Sequence, residues 1–122
     1  MKPITTPQVS DFAPFTFQQL DVYIAARELA QCLHQANIGD AELRDQATRA
    51  AKSTFLNIAE GLPDASPGVR RRHFTIARNS LCEAAAAIDL AVVLGVLAPE
   101  KGAALGAPMR RLGSLVGGLL RR

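Results

Sequence analysis

Apolar residues recur every three or four positions along four stretches of the chain, and no stretch alternates convincingly as a strand would. The first stretch opens at Thr16, with Gln19 three residues on, the spacing of a capping box. Val22, Ala26, Leu29, Leu33 and Ala36 then share one face, and the pattern stops near Asn37–Gly39. The second stretch follows Asp40, a good N-cap, and carries Leu43, Ala47, Ala50, Ala51, Thr54 and Ile58. Gly61 reads as its C-terminal stop, in the left-handed position glycine favours, with Pro63 beyond. Ser66-Pro67 opens the third, an N-cap followed by proline at the first helical position. Its face is Phe74, Ala77, Leu81, Ala84, Ile88 and Ala91. The fourth begins at Pro99 and carries Leu105, Met109, Leu112, Leu115, Val116 and Leu119 among many glycines. An interior glycine costs about 0.5–1 kcal/mol relative to alanine, so packing must hold this helix, and an irregularity is expected near Pro108.

The expected helices are therefore about 16–37, 41–61, 67–96 and 99–120, after a flexible lead over 1–15 that prolines 3, 7 and 14 keep from becoming helical. Short connections make neighbouring helices antiparallel. The fold class is all-α: an up-down-up-down four-helix bundle in one domain, residues 16–122. The segment SLCEAAAAIDLAVVLGVL is apolar on more than one face, which points to packing beyond the bundle, most simply against another subunit.

Composition narrows the chemistry. Of 122 residues, 48% are hydrophobic but only 5% aromatic, so the core must be aliphatic and alanine-rich. No apolar run approaches the ~20 residues of a membrane span, and the N-terminus lacks the apolar run of a signal peptide. Cys32 and Cys82 have no ligand spacing and are read as reduced core thiols of a cytoplasmic protein. Charge is uneven: residues 1–61 carry five basic and seven acidic side chains, residues 62–122 nine and four. The second half is therefore the side for an anionic partner.

Antiparallel packing of the second and third helices sets Glu60 beside residues 68–71, where a helix N-terminus and arginines can compensate its charge at the unfavourable end of its own helix. The same register places Arg49 near Ser80, Gln46 near Glu83 and Asn57 near His73. A polar seam is thus expected from Gln46, Arg49, Ser53, Asn57 and Glu60 against His73, Ser80 and Glu83. It is either a hydrogen-bonded seam that sets register or a functional site.

Three stretches resemble a known family: Ala50-Ala51-Lys52-Ser53, Asn57-Ile58-Ala59-Glu60-Gly61, and Ile76-Ala77-Arg78-Asn79-Ser80-Leu81-Cys82-Glu83. They look like the signature of the bacterial four-helix bundle proteins, also called the 23S rRNA intervening-sequence proteins, and are similar to the accessory protein of diversity-generating retroelements. The resemblance implies a bundle that assembles into a ring, a homopentamer in many members, with no enzymatic activity. It implies partners of three kinds: further copies of the chain, RNA or DNA, and a protein such as a reverse transcriptase.

No catalytic, metal or cofactor site is expected. Neither His34 nor His73 follows a glutamate by three residues or has a His or Cys partner one turn on, and no P-loop or dinucleotide-binding glycine pattern occurs. Cys82 beside Glu83 is not an activated thiol, because a neighbouring anion raises a thiol pKa. The nucleic-acid candidates are Arg70, Arg71, Arg72, Arg78, Arg110 and Arg111, with Arg121 and Arg122 behind them. With Tyr23 the only tyrosine and no aromatic platform, binding through them would be to phosphates and salt-sensitive. Two readings stay open: a non-enzymatic oligomeric bundle that binds nucleic acid through basic surfaces, and a scaffold or adaptor that binds another protein.

Overall fold

A computed structural model describes residues 11–63 and 66–122. Four helices follow a short 3-10 turn over Thr16–Gln19: α1 (Asp21–Ala36), α2 (Ala41–Gly61), α3 (Pro67–Val93) and α4 (Pro99–Leu120). Each helix packs on its chain neighbours, and α4 closes back on α1, which makes an up-down-up-down four-helix bundle; the described residues contain no strand. The expected lead over 1–15 falls largely outside the described residues.

The starts of α2 and α3 are made by their caps. Asp40 Oδ2 accepts from the Leu43 amide at 2.9 Å, and Ser66 Oγ accepts from the Val69 amide at 3.5 Å with Pro67 at the first position. These acceptors satisfy amides that have no partner inside the helix. The first helix departs from expectation. Leu20 is extended, so the chain makes a separate 3-10 turn before α1, and Gln18 rather than Gln19 reaches back to cap it, accepting from the Phe15 amide at 3.0 Å. Aromatic packing accounts for the break: Phe17 meets Tyr23 edge-on at 5.6 Å, and Tyr23 meets Phe55 of α2 at 4.9 Å.

The third helix ends three residues before the expected 96. Gly95 takes φ +75, the Gly95 amide donates to Val92, and the Val96 amide donates to Ala91. This is a Schellman motif, in which a left-handed residue lets the chain satisfy carbonyls at the helix end. The Gly39 amide also donates to the Val96 carbonyl at 2.8 Å, which ties the α1–α2 and α3–α4 connections together. The fourth helix runs unbroken through Pro108. Proline brings no amide for the carbonyl of Ala104, but Ala104 is exposed, so water can serve it.

The core is a column of small and branched aliphatics: Leu29 of α1, Ile58 of α2, Ala77 and Ala91 of α3, and Leu112 and Val116 of α4 are all 2% exposed or less. Gly61 has a different role from the one its position indicates. It lies inside α2 without a positive φ, and a Cβ there would sit 2.7 Å from the ring of buried Phe74. It is small because a ring packs on it. Cys32 is half-buried and packs against the core, whereas Cys82 is exposed and is not the core thiol expected. Burial, and then the Glu28 carboxylate, pushes the Cys32 thiol up.

Candidate nucleic-acid interface and polar seam

Helices α2 and α3 are the most extensively packed pair, and polar side chains connect across them. Ser53 Oγ and Ser80 Oγ lie 2.7 Å apart. The Asn57 side-chain amide donates to the Ser53 carbonyl at 2.9 Å, which turns its Oδ1 toward His73 Nδ1 at 3.0 Å. Glu60 Oε2 stands 3.4 Å from the same ring nitrogen. Two acceptors on one nitrogen require that Nδ1 carries the proton. Glu60 therefore meets an imidazole nitrogen in place of the α3 N-terminus or arginine expected. Its partner is His73, one residue beyond the arginines.

Five of the eight expected seam residues meet: Ser53, Asn57, Glu60, His73 and Ser80. The other three do not. Gln46, Arg49 and Glu83 are exposed, and no ion pair joins Arg49 to Glu83. Ser80 meets Ser53 instead of Arg49, a shift of one helical turn. Side chains lean toward the N-terminus of their own helix. On antiparallel neighbours, α2 side chains lean away from the connecting turn and α3 side chains lean toward it, which displaces partners in the observed direction. Among the described residues, every buried side-chain nitrogen or oxygen has a partner, and no group of three or more His, Cys, Asp or Glu side chains could hold a metal ion.

The arginines divide into two sets. Arg70 and Arg71, on the first turn of α3, line a cleft of about 440 Å³ with Arg122, beyond the end of α4. Phe74 and Leu119 supply its apolar wall. Arg70 holds its guanidinium 5.6 Å from the centre of the Phe74 ring, a cation–π contact. Arg71 Nη1 donates to the Leu120 carbonyl at 2.6 Å, which places a cation at the negative end of α4. The fold thus brings Arg122 against the start of α3, and nothing in the local spacing of the sequence marks this contact. Arg72 and Arg78 are exposed on α3 outside the cleft. Arg110 and Arg111 are exposed about ten residues back along α4, roughly 15 Å from its end at 1.5 Å per residue.

The family model for the 23S rRNA-intervening sequence protein matches residues 18–118, which is the whole bundle apart from the two ends. The chain belongs to that family. No curated protein matches it. In this member the Asn57–Glu60 stretch and Ser80 lie together in the α2–α3 seam, while the arginine cleft lies at the adjacent end of the bundle. Among the described residues no helix is long and apolar enough to cross a membrane.

Proposed function

We propose that this family member is a non-enzymatic, self-assembling cytoplasmic bundle that binds nucleic-acid phosphates through the arginine end of α3 and α4. The observation that carries the reading is the shared cleft of Arg70, Arg71 and Arg122. Two of these cations are held in place, one on Phe74 and one on Leu120, so less side-chain freedom is lost when an anion binds. The family name, which refers to an insertion within 23S rRNA, supports RNA as the polymer. A single cleft engages few phosphates. Assembly into a ring, five-membered as the family resemblance implies, would repeat the cleft and raise avidity without new contacts.

The test is fluorescence anisotropy with a mixed panel of RNA and DNA probes over a salt series. Log affinity should fall linearly with log salt and vary little with probe sequence. Replacing Arg70 and Arg122 together by Gln should weaken binding to every probe and flatten the slope, while Arg71 is kept for its structural bond. Absence of binding at about 50 mM salt, where phosphate contacts are strong, would remove this reading. The scaffold reading, in which the bundle binds another protein, would then stand.

A further inference from the structure

The outward face of α3 carries Ile76, Asn79, Glu83, Ala86, Leu90 and Val93, all exposed and spaced alternately three and four residues apart. That spacing is the seam by which one helix packs on another. Leu90 is 45% and Val93 72% exposed, so the apolar end of the stripe is uncovered within the bundle. Its last three turns, residues 82–94, hold two acids, Glu83 and Asp89, and no base.

Elsewhere on the molecule, α1 and α2 form a groove of about 580 Å³. Ala30, Ala51 and Phe55 make an apolar floor, with small residues that allow close helix approach. Arg27, His34 and Lys52 line the same groove, and no acid does. At about 3.6 residues per turn Arg27 and His34 share one face of α1, with Lys52 across the groove on α2, while Glu83 and Asp89, six residues apart, lie about 120° apart and flank the stripe on its two sides.

We infer that the acidic, apolar end of the α3 stripe of one copy docks in the basic-rimmed α1–α2 groove of a second copy. Leu90 and Val93 fill the alanine floor, and Glu83 and Asp89 face the basic side chains of the rim. Pairing this half of the stripe with itself would instead bring two acidic surfaces with no base together and leave the groove uncovered. A contact between two different surfaces is heterologous, so it repeats head to tail and closes into a ring or continues as a filament. The inference rests on the self-assembly part of the proposed function and is independent of nucleic-acid binding.

Light scattering on the full chain tests it with two variants at exposed positions. The stripe variant is Leu90→Lys with Val93→Lys, and the groove variant is Lys52→Glu with Leu56→Glu. The wild type should run at a multiple of its 13.0 kDa chain mass, and each variant alone should run as a single chain. An equimolar mixture should form a one-to-one dimer and nothing larger, because the one intact stripe meets the one intact groove and the two damaged surfaces stop the chain there. Lys52→Glu alone serves if the double groove variant does not fold. A groove variant that assembles alone like the wild type, or a mixture that stays at the single-chain mass, overturns the docking while leaving self-assembly intact. A wild type of single-chain mass at micromolar concentration overturns both.

Discussion

The Arg71 guanidinium donates to the carbonyl of Leu120 at 2.6 Å, joining the first turn of α3 to the last residue of α4 across 49 positions of sequence. An arginine that looks like one of a run of phosphate-binding cations is therefore also the cap of another helix. Arg71→Met should lower stability by about 0.5–1 kcal/mol, the modest value suited to an exposed charged donor. Hydrogen exchange should locate the loss at residues 116–122. Protection there unchanged from the wild type would show that the bond contributes nothing.

Gly61 faces the Phe74 ring so closely that an added methyl must displace it. Gly61→Ala gains helix propensity but overpacks a site where Phe74 is 2% exposed. The expected net effect is a loss of about 1–2 kcal/mol in urea unfolding. Were Gly61 simply an end-of-helix residue with no packing role, alanine would be neutral or stabilising in this αR conformation.

The Ser53–Ser80 bond should behave as a coupled pair. Ser80 is buried, so Ser53→Ala leaves its hydroxyl without this partner and should cost about 1 kcal/mol. Adding Ser80→Ala should recover part of that loss, because both polar groups are then gone. A double-mutant cycle with no coupling would count against the seam as the device that sets the α2–α3 register.

The two thiols should separate kinetically. Cys82 is exposed, and Cys32 is half-buried with its pKa raised by burial and by Glu28. A raised thiol pKa means less thiolate at a given pH. An alkylating reagent should therefore modify Cys82 first, and Cys32 should respond only at higher pH or on unfolding. Glu28→Gln should speed Cys32 alkylation by removing the anion. Equal rates for both thiols in the native protein would contradict their placement.

The helical architecture was legible because its causes are local. Asp40, Ser66-Pro67 and Pro99 mark starts by their own hydrogen-bonding and ring geometry, and a period of three to four determines which face of each helix is buried. The polar character of the α2–α3 contact was also legible, since Ser53, Asn57, Glu60, His73 and Ser80 share facing positions on helices that must run antiparallel. What local pattern could not decide is who meets whom. The Ser53–Ser80 pairing, one turn away from Arg49, depends on the lean of side chains on two helices and on the stagger between them. The break at Leu20 depends on aromatic partners as far away as α2, and the small size of Gly61 depends on a ring from α3. Arg71 finds Leu120, and Arg122 joins the cleft, only because α4 returns to the start of α3. The sequence by itself determined the helices and their buried faces, because those follow from bonds and periodicities within a few residues. The tertiary structure alone decided register, close approach and which cations converge, because these arise where side chains far apart in sequence compete for the same space.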